Sequence, residues 1–390
     1  MQKLLDSIRS SNACEPEIFS LTKSDHCDKL TKLIQLGEIR HSSDDYEEQL
    51  RELYAINNPS HVFLPEFKRE QEAFLHDATS QTPLWQQGMW VYYPWRSLIT
   101  HVLPEDDFIR VRTTRNRNLI DENEQKTFYD STVGIGGLSV GSSIAFALAL
   151  SGGPKHMKLA DMDRLALSNT NRVLAGTEAL GVSKVVMAAR RLYEINPYLH
   201  IELFDEGINE ENIGAFFENL DICIDELDNI AVKYLIRREA KKRKIPVVMG
   251  ADNGDNAVID VERYDIDPSL EYFHGRLGEV TYEELQKLDK FGIGRTIARH
   301  IGPENVTVPM QESLLEMGKS IVSWPQLGNA ALLNGAAIAY SVRKILNGQE
   351  LESNRGFISL DASLQPTYDS ESERSKRQSA ADAFRKVFKL

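Results

Sequence analysis

A chain of 390 residues exceeds one ordinary domain and suits a large domain with a smaller one. Its hydrophobic fraction of 42% and charged fraction of 26% exclude a disordered or fibrous chain. A net charge of −13 disfavours nucleic acid and anionic membranes as partners, because both call for a basic surface.

Residues 1–105 are polar and acidic and are expected to form a smaller N-terminal accessory domain, helical or α/β. The opening MQKLLDSIRSSNACEPE shows no basic segment followed by an apolar run, so no secretory signal is expected. Glu47–Tyr54 reads as a helix. Trp85, Trp90, Tyr92, Tyr93 and Trp95 then cluster between prolines and read as buried core or a docking face, with a substrate-side wall as the rival reading. From Thr127 the pattern becomes strand–helix alternation. Strands are expected at Ser131–Ile135, Met157–Ala160, His200–Phe204, Asp221–Ile224 and Pro246–Met249. Helices are expected at Ser142–Leu150, Ser183–Ile195 and Ile230–Arg243. Such alternation implies an α/β fold with a Rossmann-like, mostly parallel sheet flanked by helices. Ala257–Tyr264 alternates apolar and polar residues and reads as an antiparallel extension. Residues 265–320 read as an insertion or cap, Leu327–Leu346 as a small-residue helix against the sheet, and 366–390 as a tail whose order the sequence does not decide. The large domain is expected over 106–365. The longest apolar run, Val140–Leu150, is too short to span a bilayer, and a cytoplasmic protein is expected.

The chemistry begins at Gly134-Ile-Gly136-Gly137-Leu-Ser-Val-Gly141, between a strand and a helix. Glycines let the backbone turn tightly against a phosphate, and the helix N-terminus offers it free N–H groups. Asp161 ends the next strand, where an acid accepts hydrogen bonds from ribose hydroxyls. The stretch Asp161-Met-Asp163-Arg-Leu-Ala-Leu-Ser168-Asn169-Thr-Asn171-Arg172 follows, then Lys184, then Asp225-Glu-Leu-Asp228-Asn229 after the fourth strand. Phosphoryl chemistry needs cations on the phosphates and a carboxylate for Mg²⁺. A nicotinamide enzyme needs neither, so an NAD- or FAD-binding oxidoreductase is the weaker reading of the glycine turn.

At these residues the chain resembles the ThiF/MoeB/HesA, ubiquitin-activating-like adenylyltransferase superfamily over about 108–265, and less surely over Leu327–Leu346. The resemblance implies an ATP-dependent adenylyltransferase that activates a carboxylate as an acyl-adenylate. Gly134, Gly136 and Gly137 would line the phosphate and adenine side, and Asp161 would bind ribose. Asp163 belongs to the same cofactor-binding run. Asn169, Arg172 and Lys184 would contact phosphates, and Asp228 would hold Mg²⁺. Arg115, with Arg117 as its rival, would reach the site of a partner copy, which makes a homodimer the expected assembly. The acceptor would be a ubiquitin-like sulfur-carrier C-terminus, a peptide or a small acid. An ATP-dependent tRNA-modifying dehydratase and a regulatory nucleotide binder without turnover are the other readings of the same motif.

Three departures accompany the resemblance. Ser139 replaces the last glycine of the turn. The paired C-x-x-C zinc motifs and the thioester cysteine are missing, because the only cysteines are Cys14, Cys27 and Cys223. No zinc and no thioester step are therefore expected. Cys223, in an apolar strand, reads as buried and inert. No histidine stands in metal-ligand spacing, and His156, His274 and His300 are not expected to be catalytic. Asp252 and Asp255 read as turn formers, with contact to substrate or Mg²⁺ as the alternative.

Overall fold

The computed structural model describes residues 13–390, which divide into two compact units. One runs to Gln125 and adds Ala189–Tyr198. The other comprises Lys126–Ala188 and Leu199–Leu390. The second half of the helix Lys184–Ile195 groups with the N-terminal unit.

The N-terminal unit is α/β. Strands β1 (Glu17–Phe19), β2 (His41–Asp44), β3 (Met89–Tyr93) and β4 (Leu98–Val102) form a sheet in the order β1-β3-β4-β2. The aromatic run builds β3, whose Tyr92 and Tyr93 are buried, while Trp85 just before it stays 51% exposed. Trp90 stacks on His101 at 4.3 Å and Tyr46 covers the other face at 4.1 Å. His101 is held edgewise too, with Nδ1 2.9 Å from Asp44 Oδ1 and Nε2 2.8 Å from the Gln87 carbonyl. Aromatic stacking and a saturated polar rim together fix this buried ring. The helix expected at Glu47–Tyr54 runs from Tyr46 to Asn57 and buries Tyr46, Leu50 and Leu53, the i, i+4, i+7 stripe of an amphipathic helix.

The larger unit carries a seven-stranded sheet in the order β11-β10-β9-β8-β5-β6-β7. Its strands are β5 (Thr132–Gly136), β6 (His156–Ala160), β7 (His200–Phe204), β8 (Ile222–Asp225), β9 (Val247–Asn253), β10 (Asn256–Glu262) and β11 (Asn354–Ile358). β5 to β9 are mutually parallel, and β10 and β11 extend the sheet antiparallel. The chain steps outward from β5 through β6 to β7, then returns to the other side of β5 for β8 and β9. Ligands of open α/β sheets bind at such a reversal, beyond the carboxyl ends of the strands.

Helices cover both faces. Gly141–Leu150 packs against Gly328–Leu346, and a Cβ on Gly335 would lie 2.9 Å from the Ser143 carbonyl, so only glycine admits this approach. On the opposite face the helix Ile230–Arg243 buries Leu235, Ile236 and Ala240 with Cys223, Phe216 and Tyr264. The insertion holds the helices Tyr282–Gln286, Lys290–Ile301 and Val308–Leu315. The tail is a helix, Glu371–Phe388, whose Phe384 and Phe388 pack with Ala298, Ile301, Met310 and Leu314 of the insertion, while Val387 points outward. Among the described residues no helix is long and apolar enough to cross a membrane.

Candidate functional site

The glycine turn follows β5 at the reversal point. Gly137 has φ +87°, the left-handed region, and its N–H bonds the Ala160 carbonyl at 2.8 Å. A Cβ there would strike the backbone of Glu226, so both conformation and space demand glycine. Gly136 faces Ile208 and Leu227 closely, whereas the missing Cβ of Gly134 faces Leu220 and Phe216 in the core. Gly134 thus serves the packing of β5, and Gly136–Gly137 shape the turn itself.

Asp161, at the end of β6, braces that turn. One carboxyl oxygen accepts the Leu138 N–H at 2.7 Å and the other the Asp163 N–H at 2.8 Å. Lys184 enters from the start of its helix, with Nζ 2.8 Å from Asp163 Oδ2 and 3.5 Å from Asp161 Oδ2. Asp161 and Lys184 are 7% and 5% exposed, so this pair is built in, whereas Asp163 beside it faces solvent. A carboxylate offers about four acceptor positions. Three are engaged on Asp161, which leaves room for one hydroxyl donor.

Arg172 sits over the same turn. Its Nε bonds Ser139 Oγ at 3.1 Å, and one terminal nitrogen reaches the Ser168 carbonyl and Asn171 Oδ1. Ser139, which departs from the family glycine, is thus an anchor for Arg172. Burial lowers the Arg172 pKa, and Asp252 pulls it back up. The guanidinium stays a cation, partly dehydrated and short of anionic partners, which is the condition that favours phosphate binding. Asn169 uses Oδ1 to accept the Ala166 N–H and closes the loop that carries Arg172.

The far side of the reversal point contains two acids whose state the sequence does not reveal. Glu226 follows β8, and its Oε1 accepts the Gly250 N–H at 2.7 Å. Burial raises its pKa well above the ordinary carboxylate value, and Asp252 and Asp225 reinforce the rise. Asp252 does not lie in a turn: β9 continues to Asn253, and the turn begins at Gly254, where φ is +64°. Its carboxyl group accepts from Gln326 at 3.2 Å and from Asn334, and burial pushes its pKa up to about 6. Asp255 does occupy the turn, as expected, and accepts from Asn329 at 2.6 Å. The signal for Glu226 was its place inside the Asp225-to-Asn229 motif, directly beside the glycine turn in space.

Asp225 and Asp228 part company. Asp225 is fully buried between Arg237 at 2.5 Å and Lys233 at 3.2 Å. Burial alone would raise its pKa, but the two cations outweigh it and hold it low. Asp228 is exposed and has no ion-pair partner among the described residues, while Asn229 caps the following helix through Ala231 N and Val232 N. An Mg²⁺ bound to phosphates takes one or two protein carboxylates. Asp228 is available for that duty and Asp225 is not. Arg115 and Arg117 belong to the N-terminal unit and are both exposed, Arg117 lying 3.6 Å from Glu122. Cys223 is fully buried and burial raises its pKa, so it is no nucleophile.

A model of the ThiF family matches residues 113–363. The chain belongs to the ThiF family. A Mycobacterium tuberculosis relative, uncharacterized protein MT1398, is 33% identical over 323 residues, which are 82% of this chain and 45% of that protein. The molybdopterin-synthase adenylyltransferase of Haemophilus influenzae is 32% identical over 120 residues, 30% of this chain and 48% of that one. The tRNA threonylcarbamoyladenosine dehydratase of Bacillus subtilis is 34% identical over 166 residues, 40% of this chain and 64% of that one. The chain thus spans less than two thirds of the length of each of these relatives.

Proposed function

We propose that this chain is an ATP-dependent adenylyltransferase that activates a carboxylate as an acyl-adenylate without a thioester step. The observation that carries the reading is the convergence of Arg172, Lys184, Asp161 and Asp163 on one glycine turn at the sheet's reversal point. In this reading a carboxylate oxygen attacks the α-phosphorus of ATP. The bond from that phosphorus to the bridging oxygen breaks, and the electron pair leaves on pyrophosphate. No proton need move. Arg172 and Lys184 neutralise the phosphates, Asp161 accepts a ribose hydroxyl, and the Gly136–Gly137 backbone admits the anion. Mg²⁺ on Asp228 would add charge neutralisation at the phosphates.

The acceptor is a ubiquitin-like sulfur-carrier C-terminus, a peptide or a small acid, the first being the reading that the name of the molybdopterin-synthase adenylyltransferase relative supports, and Arg115 completes the site of a second copy. The first test is thermal shift with MgATP against NAD. Stabilisation by MgATP alone, lost in Arg172→Ala, supports the reading; stabilisation by NAD alone sinks it. Arg172→Ala is preferable to Asp161→Ala, because Asp161 also holds the turn together. AMP release that depends on a carrier protein, on a peptide or on tRNA then separates the acceptors. If Arg115 acts across a dimer, co-expressed Arg115→Ala and Lys184→Met chains recover AMP formation that neither has alone. Failure to recover it removes Arg115 from the site.

A further inference from the structure

Away from the glycine turn, β11, the insertion and the C-terminal helix line an open polar cavity of about 470 Å³, with Arg276, Arg299, Arg355, Arg385, Glu304 and Asn305 on its walls. Behind it Asp260, on β10, is 1% exposed. Arg355 on β11 forks onto its carboxylate at 2.8 and 2.5 Å, and Arg276 approaches it at 3.3 Å. Burial would raise the Asp260 pKa, but His300 and Arg355 prevail and keep it ionised. Arg385 divides its guanidinium between Glu304 at 2.7 Å and Asp382 at 3.1 Å. Arg299, exposed on the last turn of the helix Lys290–Ile301, has no carboxylate partner among the described residues. Arg276 and Arg355 share the carboxylate of Asp260, and Arg385 faces both Glu304 and Asp382, so these four arginines meet three carboxylates and one positive charge stays unanswered, with Arg299 the guanidinium that no carboxylate holds. Burial lowers the His300 pKa, so His300 adds no second.

That excess is notable in a chain of net charge −13. The Arg355–Asp260–Arg276 cluster alone reads as a brace between β10 and β11, but a brace has no use for Arg299. The negative end of the helix Lys290–Ile301 opposes an anion here. Its last carbonyl, Ile301, is already bonded by Arg355 at 2.7 Å and by Asn305 at 2.7 Å, which mutes that effect. We propose that this cavity is an anion site for a phosphate dianion, the terminal group of a phosphorylated small molecule or free phosphate, separate from the ATP edge. The forks of Arg355 and Arg385 are already committed, but the Arg299 guanidinium is not, and its fork matches a phosphate's oxygens; the volume is that of a small-molecule pocket. None of its lining residues surrounds the glycine turn.

The test is calorimetric titration of the full chain with inorganic phosphate and with glycerol 3-phosphate. Arg172→Ala serves as the background in which the ATP edge is weakened. Binding to one site persists in Arg172→Ala, and Arg299→Gln, an exposed change that leaves the fold intact by circular dichroism, weakens it tenfold or more. Adding Arg276→Gln weakens it further. Tighter binding of glycerol 3-phosphate than of phosphate identifies a phosphorylated metabolite as the ligand, and equal binding identifies free phosphate. Titration curves that Arg299→Gln leaves unchanged, or binding abolished by Arg172→Ala alone, would overturn the proposal.

Discussion

The two sides of the reversal point carry similar groups and treat them differently. At the ends of β5 and β6, Asp161 and Asp163 are matched by Lys184 within 3.5 Å and by backbone N–H groups. At the ends of β8 and β9, Asp252 is as buried as Asp161 and Glu226 is half-buried, yet their direct donors are the Gly250 N–H and the amides of Gln326 and Asn334. Neutral donors stabilise a carboxylate less than a cation does. Both acids are accordingly pushed upward by burial. The first side is compensated and holds its geometry unaided. The second carries an electrostatic cost, as groups in ligand sites often do.

The largest effect should come from breaking the compensated side. Lys184→Met removes the cation expected on the phosphates and leaves buried Asp161 without its charge partner. AMP formation should fall ~10²–10³-fold, the usual cost of one transition-state donor. Stability should fall by about 3 kcal/mol, the low end for a broken buried pair, because the N–H bonds to Asp161 remain. Steady-state AMP release and urea unfolding measure the two. An active Lys184→Met enzyme would remove Lys184 from the chemistry and leave it a brace.

The compensated side was legible in the sequence and the other was not, for a physical reason. The glycine turn, Asp161 and Lys184 follow from local rules: a β-rich run, a turn that only glycine permits, an acid at a strand end, a lysine at a helix start. The partners of Asp252 arrive from 74 and 82 residues along the chain, so no local pattern announces them. The same distance effect hid the length of β9. Its apolar run ends at Met249, but pairing with β10 carries the strand to Asn253 and turns Asp252 from a loop residue into a buried one. In the N-terminal unit the aromatic run correctly indicated core through Tyr92 and Tyr93. The ring stack on His101 was not foreseeable, since His101 sits on the neighbouring strand.

A smaller effect, with a definite sign, belongs to the uncompensated side. Because its acids have raised pKa values, the native state binds more protons than the unfolded chain from the ordinary carboxylate value near ~4 upward. Stability attributable to this pair therefore falls as pH rises through that window. Glu226→Gln keeps an oxygen for the Gly250 N–H and removes the ionisation. The variant should melt above the wild type at pH 8, and the gap should close below about pH 5, where an ordinary carboxyl is becoming protonated in both states. Parallel melting curves at all pH values would show that Glu226 ionises without penalty and that the contrast between the two sides is overstated.

The smallest effect should come from Asp255, which lies on the same edge but outside the enclosure. Its carboxylate accepts one bond from Asn329, and that bond is exposed. Water replaces an exposed partner at little cost, so Asp255→Ala should change stability by about 0.5 kcal/mol or less. The turn itself is set by Gly254 at φ +64°, not by the Asp255 side chain. Asp252→Asn, at the buried strand end two residues before Gly254, should by contrast flatten the pH–stability curve. If Asp255→Ala instead lowers AMP formation while leaving the melting curve unchanged, the turn touches substrate. The functional edge would then extend past β9 to include the acid that the fold does not need.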